Sequence, residues 1–327
     1  MEFYGTLGTA CTDPAVLERM FAAGMTGARL NLSHTTLNAC DSLLNRVYFP
    51  AAARSGMKNP HLIIDLQGPE LRIGTLPAPV TLTLGGTICL GEGGVPAPPA
   101  VCRAAFPGCQ IALDDSALLL EVTEVRETAL LCTVLRGGLL NSRKSLALLG
   151  VEVDSPTLTA ADLENLDVAG KYGVTHILQP FVRGKEDIHI LREALHARRL
   201  DQVQIMAKIE NQRGLDHLDE IIDCADQICI ARGDLGNSMP LWQLPAVQKH
   251  ISRSCLSKGR DFCLVTQLLW SMEQRPVPTR AEVADIYNGV LDGASSLMLT
   301  GETAVGRYPA QAMDYLVKTA RTALNGL

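Results

Sequence analysis

At 327 residues, 47% apolar and 20% charged, the chain holds enough aliphatic residues for a large folded core, and disorder is excluded. A net charge of −6 with no Lys/Arg cluster interleaved with aromatics argues against a nucleic-acid surface, and no apolar run reaches the roughly 18 residues needed to span a membrane. The start, Met1-Glu-Phe-Tyr-Gly, lacks a basic segment before an apolar stretch, so a cytoplasmic protein is expected. Ten cysteines, without a Cys-x-x-Cys pair, read as small buried hydrophobes, Cys89, Cys132, Cys229 and Cys263 among them, rather than as disulfide or zinc partners.

Residues 4–10 form a strand candidate, and Thr12-Asp-Pro14 opens a helix with a cap and a first-turn proline, carrying Leu17, Met20 and Phe21 on its apolar face. Residues 26–33 are the next strand. Arg29, Asn31 and Ser33 recur there at period two and are expected to share a face, a guanidinium with two neutral oxygens that suits an anion beside a weakly bound monovalent cation. Residues 36–56 read as helix and 61–66 as an apolar strand carrying Asp65, which Gly68-Pro69-Glu70 breaks. The character then changes to Gly- and Pro-rich stretches and short alternating segments, including a hairpin of 110–113 and 118–122 around Asp114-Asp-Ser116. From Asp154-Ser-Pro156 onward strands (174–181, 204–211, 227–231, 262–268, 295–300) alternate with helices (184–199, 214–224, 241–258, 279–291, 309–324). The alternation predicts an α/β fold, a (β/α)₈ TIM barrel of residues 1–72 and 154–327, with residues 73–153 inserted after the third strand as a small all-β lid domain.

Two of these strands end alike. Gln204-Ile-Met-Ala-Lys-Ile-Glu-Asn211 and Ala225-Asp-Gln-Ile-Cys-Ile-Ala-Arg-Gly-Asp-Leu-Gly236 are apolar runs that finish in an acid, at the end where parallel α/β folds hold ligands. Glu210 and Asp234 together suit Mg²⁺, a hard cation usually bound by one or two carboxylates, water and substrate phosphates. Lys208 faces the same way as Glu210, and its ammonium suits a phosphoryl oxygen; the alternative is a structural Lys–Glu pair at a strand end. There is no P-loop and no Gly-x-Gly-x-x-Gly.

Lys208-Ile-Glu-Asn211, Ala231-Arg-Gly-Asp-Leu-Gly236, Thr266-Gln267, Pro278-Thr-Arg-Ala-Glu282, Leu299-Thr-Gly-Glu-Thr-Ala304, Ala28-Arg-Leu-Asn-Leu-Ser-His34 and Asp65-Leu-Gln-Gly-Pro-Glu-Leu-Arg72 resemble segments of the pyruvate kinase family, in that family's order. The resemblance covers the family's barrel and, more faintly, its lid, and ends where the carboxyl-terminal regulatory domain would start; a homodimer through barrel helices is the expected assembly. It implies transfer of the phosphoryl group of phosphoenolpyruvate to ADP, with Mg²⁺ (or Mn²⁺) on Glu210 and Asp234 and with Lys208, Arg29 and Thr266 as catalytic residues. It also implies substrate contacts from the Gly233 and Asp234 backbone N–H groups, nucleotide contacts from Arg72, His34 and Asn31, and K⁺ on Asn31, Ser33, Asp65 and the Leu66 carbonyl. The chain departs from the family pattern at Leu66-Gln67 (usually Thr-Lys), Pro180 (Ser), Ser238 (Glu), Asp115-Ser116 (Asp-Gly) and Ser145-Leu-Ala-Leu-Leu-Gly150. Two alternatives stay open: a metal-dependent aldolase or lyase acting on an enolpyruvate or 2-oxo acid, and a non-catalytic binding module on the same fold.

Overall fold

In chain order the strands are β1 (Glu2–Thr6), β2 (Gly27–Asn31), β3 (His61–Asp65), β4 (Val80–Leu82), β5 (Thr87–Gly91), β6 (Gln110–Leu113), β7 (Leu118–Val125), β8 (Ala129–Arg136), β9 (Gly138–Leu140), β10 (Leu146–Leu148), β11 (His176–Gln179), β12 (Gln204–Ile209), β13 (Gln227–Ala231), β14 (Phe262–Val265) and β15 (Ser296–Met298). The computed structural model describes every residue except His34, Asp115, Glu152, Asp154, Ser238 and Leu327, and of Asn237 only the backbone. The chain divides into two units, Met1–Gly68 with Thr157–Leu327, and Pro69–Pro156.

In the first unit, strands β1-β15-β14-β13-β12-β11-β3-β2 close into a barrel, each paired in parallel with its neighbours. Period-two alternation fills both faces of the strands. Tyr4, Ile63, Leu178, Met206, Cys229, Ala231, Cys263, Val265 and Met298 point into the barrel and pack on one another. Their strand neighbours, among them Leu62, Ile64, Ile205, Ile228, Ile230 and Leu264, point outward and pack under the helices. Burial on both sides explains why these strands read as unbroken aliphatic runs, and each such side chain contributes roughly 1.5–3 kcal/mol.

Caps fix where the helices begin. Thr159 and Asp162 form a reciprocal capping box on Ala160–Ala169, and Thr279 and Glu282 do the same for Arg280–Leu291. The buried Asp162 carboxylate also accepts from the backbone N–H of Gln67 (2.8 Å) and Gly68 (3.1 Å), so a helix cap anchors the loop after β3. Gly68 is needed there twice over: its φ is +60°, and a Cβ would lie 2.4 Å from Cγ of Pro180.

Several elements differ from expectation for local reasons. The expected helix 36–56 contains a wide turn over Leu44–Tyr48 before Phe49–Arg54, where Pro50 has no N–H to donate to the preceding turn. Helix 214–224 is two pieces, Gln212–Asp216 and Leu218–Cys224, and Asn211 caps the first by accepting from the Gly214 N–H at 2.8 Å. The barrel strands are shorter than their apolar runs: β14 stops at Val265 because Thr266 and Gln267 adopt φ of +77° and +56°. Cys132, Cys229 and Cys263 are buried free thiols, whereas Cys89 is only partly buried.

The second unit holds an antiparallel sheet, β10-β6-β7-β8-β5, the pair β4-β9, and one short helix, Pro99–Ala104. Leu90, Val101, Ile111, Leu113, Leu120, Leu130 and Val134 form its core. The hairpin between β6 and β7 carries Asp114 at φ +53° and Ser116 at φ +64°, so the serine occupies a backbone region that glycine enters without strain. Asp115 lies outside the described residues. Among the described residues no helix is long and apolar enough to cross a membrane.

At the amino-terminal end of the barrel, His61 and His176 meet edge to face with ring centroids 4.9 Å apart, beside Tyr4. Burial, then the neighbouring His61, lower the His176 pKa from 6.5 to about 4, while Gln204, Glu2 and Asp226 oppose the shift. The folded state therefore excludes a proton that the unfolded chain accepts. The stability due to a neutral His176 is complete above pH 6.5 and is lost as pH falls toward 4, by up to about 3 kcal/mol. Urea unfolding of the wild type and of His176→Gln between pH 7 and 4.5 checks this: the wild type should lose stability more steeply by about one proton, and equal slopes would contradict the assignment.

Candidate active site

Seven strand ends contribute to a cavity of about 380 Å³ at the carboxyl-terminal mouth of the barrel: Thr6, Arg29 with Asn31, Asp65, Leu178, Lys208 with Glu210, Ala231 with Gly233 and Asp234, and Thr266. Thr300 and Gly301, just past β15, complete the wall. Barrel geometry causes this convergence, since a residue two positions beyond an inward-facing core residue is also inward and one layer nearer the mouth. Met206 lies in the core, and Lys208 and Glu210 therefore rise from it into the cavity.

Asp65 joins the cations. Its Oδ2 accepts from Arg29 Nε at 2.9 Å, and its Oδ1 lies 3.3 Å from Lys208 Nζ. Arg29 Nη1 also donates to the Thr6 hydroxyl at 3.1 Å, and that hydroxyl donates to the Leu299 carbonyl at 2.8 Å. Lys208 reaches from Asp65 to Glu210, whose Oε1 is 2.9 Å from Nζ. On its far side Glu210 Oε2 accepts from the backbone N–H of Phe181 at 2.8 Å. Phe181 has φ +52°, a strained value for an aromatic residue, and such strain typically costs about 1–3 kcal/mol at sites where geometry is imposed.

Burial sets the electrostatics. Desolvation alone would lower the Lys208 pKa, but Asp65 and then Glu210 outweigh it and the ammonium is held charged. Burial raises the Glu210 carboxyl to about 8, against the pull of Lys208 and with Asp234 adding to the rise. Glu210 Oε1 has an ionic neighbour in Lys208, yet no hydrogen bond is aligned on this buried atom. An oxygen with an unused lone pair, in a cavity shared with a second carboxylate, fits a hard divalent cation.

The expected ligands of a monovalent cation are only partly gathered. Asn31 and Asp65 line the cavity; Ser33 and Leu66 do not. β2 ends at Asn31, so the period-two reading does not carry on to Ser33, whose N–H donates to Asn31 Oδ1 at 3.1 Å. Leu66 is 1% exposed and its N–H donates to the Leu178 carbonyl. Arg72 belongs to the inserted unit, where its Nη2 pairs with Glu70 at 2.8 Å and its Nη1 donates to the Arg143 carbonyl. His34 and Ser238 lie outside the described residues.

A family model described as the barrel domain of pyruvate kinase matches residues 97–313. A pyruvate kinase of Aeropyrum pernix is 35% identical over 333 residues, covering 100% of this chain and 71% of that protein. Pyruvate kinases of Geobacillus stearothermophilus and Methylorubrum extorquens are 34% and 36% identical, each over 96% of this chain, and over 55% and 66% of their own lengths. The chain belongs to the pyruvate kinase family. It spans between 55% and 71% of the length of these pyruvate kinases.

Six of the seven segments that resemble pyruvate kinase thus contribute to one cavity, Pro278–Glu282 being the exception, while three groups in or beside it carried no signal of their role. Thr6 has only its position at the end of β1. The Phe181 N–H is a backbone group that no residue type reveals. Arg232 was visible within the Ala231-Arg-Gly-Asp-Leu-Gly236 segment, and its partners, the Thr266 carbonyl and Asp285, come from distant parts of the chain.

Proposed function

We propose that this cavity transfers the phosphoryl group of phosphoenolpyruvate to ADP, giving pyruvate and ATP. The observation that carries the reading is a buried, charged Lys208 2.9 Å from a Glu210 oxygen that has no aligned hydrogen bond, at the mouth of a barrel that also presents Arg29. Phosphoryl transfer asks for positioning and charge neutralisation more than for covalent chemistry, and this arrangement offers both. Glu210 and Asp234 would hold Mg²⁺ or Mn²⁺. Bound there, the cation would withdraw charge from the phosphoryl and enolate oxygens.

The chain's own groups account for the remaining steps. Lys208 and Arg29 neutralise the phosphoryl group as its bond to the enolate oxygen breaks and a bond to the ADP β-phosphate forms. The Gly233 and Asp234 N–H groups receive the substrate carboxylate at the start of Arg232–Asn237. Thr266 passes a proton through water to C3 of the enolate, which completes pyruvate. Arg72, His34 and Asn31 are assigned to the nucleotide, and Asn31, Ser33, Asp65 and the Leu66 carbonyl to K⁺.

A coupled assay with phosphoenolpyruvate, ADP, Mg²⁺ and K⁺ tests the reading. Lys208→Met should fold normally by circular dichroism and lose about 10²–10³-fold in turnover, the loss typical of one transition-state charge contact. Glu210→Gln should chiefly raise the Mg²⁺ concentration needed for half-maximal rate. Near-normal turnover in the first variant, or an unchanged Mg²⁺ requirement in the second, would remove that residue from the mechanism.

Potassium is tested separately, because neutral oxygens with a single carboxylate suit a large, weakly held cation. Activity should rise with KCl and not with tetramethylammonium chloride at equal ionic strength, and Asn31→Ala should raise the KCl required. Equal activity in the two salts would make the Asn31, Ser33 and Asp65 cluster structural.

A further inference from the structure

Of the seven non-glycine residues described with positive φ, three sit on loops at the carboxyl-terminal mouth: Phe181, Thr266 and Gln267. Thr266 is the hardest to explain, since φ +77° brings a β-branched side chain against its own backbone. Such a conformation persists only where its surroundings impose it. Arg232 bonds to this peptide. Its Nη2 donates to the Thr266 carbonyl at 2.7 Å and its Nη1 to Asp285 Oδ2 at 2.7 Å, with Gln248 Oε1 at 3.5 Å. The Arg232 side chain is 12% exposed and that of Asp285 34%, so the charge-assisted bonds are sheltered from water on the arginine side. The next residue closes the arrangement from the other side: a Cβ on Gly233 would stand 3.1 Å from Thr266 Cγ2, so the backbone there already lies close against the threonine methyl.

The geometry points to Arg232 as a positioning residue. Held by Asp285, it clamps the Thr266 peptide in its strained form and thereby aims the threonine side chain into the cavity. This inference rests on the proposed reaction, in which Thr266 serves the proton step and Lys208, Arg29, Glu210 and Asp234 serve the phosphoryl step. Arg232 does not line the cavity, so loss of the clamp should damage one step and spare the other. The proton step can be isolated: with pyruvate in D₂O, a C3–H bond breaks, the proton leaves through water at Thr266, the electron pair enters the enolate, and a deuteron returns to C3.

The experiment compares wild type, Arg232→Ala, Arg232→Lys and Asp285→Asn in two assays, deuterium uptake by the pyruvate methyl group and ATP formation in a single turnover. Arg232→Ala is expected to slow deuterium uptake at least tenfold more than ATP formation. Arg232→Lys, which keeps the charge but not the two-pronged geometry, should fall in between. Asp285→Asn should slow uptake in the wild-type background and add nothing to Arg232→Ala, because it acts only through Arg232. An active wild type in which all variants slow both steps equally, or neither, would overturn the inference. If the wild type transfers no phosphoryl group, the proposed function fails first, and amide hydrogen exchange decides the clamp by itself. Faster exchange confined to residues 265–269 in Arg232→Ala and Arg232→Lys would uphold it, and unchanged exchange there would overturn it.

Discussion

The carboxylate of Asp65, shared between Arg29 and Lys208, is the contact on which the mouth of the barrel depends. Taking two cations out of water costs several kcal/mol for each, and only well-placed counter-charges offset it. Asp65, 3% exposed, supplies one such charge to both, and it can do so because β3 pairs with β2 on one side and β11 on the other, with β12 next in the closed sheet. The consequence lies with Glu210. With Lys208 divided between two carboxylates, one oxygen of Glu210 stays without an aligned donor in a buried position. A packed core would normally satisfy that atom, and its open lone pair is what a metal site needs.

Around this charge array the backbone is held in conformations it would not adopt alone. Phe181 directs its N–H at Glu210 and Thr266 turns into the cavity, both with positive φ. The supports lie outside the cavity: Asp162 anchors the loop after β3, and Arg232 with Asp285 holds the loop after β14. The interior of the barrel is by contrast an ordinary apolar stack of Met206, Cys229, Cys263 and Met298, which gives the strand ends a rigid floor.

Much of this was legible in the chain because period-two alternation carries over directly to space. Met206, Lys208 and Glu210 had to share a face, and the apolar runs marked all eight barrel strands. What local pattern could not reveal was where a strand stops: Ser33 was expected to face the cavity with Arg29 and Asn31, but β2 ends at Asn31 and Ser33 is not part of the cavity lining. Contacts across the closed barrel were equally hidden. Asp65 and Lys208 are separated by 143 positions, and only the strand order brings them together. Family resemblance singled out Thr266 as a site residue, and neither it nor residue type foretold the left-handed backbone or the arginine that holds it.

The central proposal is that Glu210 Oε1, which faces Lys208 without an aligned hydrogen bond, would join Asp234 in holding a divalent metal at the barrel mouth. Anomalous diffraction from crystals soaked with Mn²⁺ and pyruvate tests it most directly. The account predicts a single strong peak within bonding distance of both carboxylates, with pyruvate oxygens completing the shell and Lys208 still in contact with Asp65. A cavity without a peak, or a Mn²⁺ ion bound elsewhere while Lys208 fully neutralises Glu210, would contradict it.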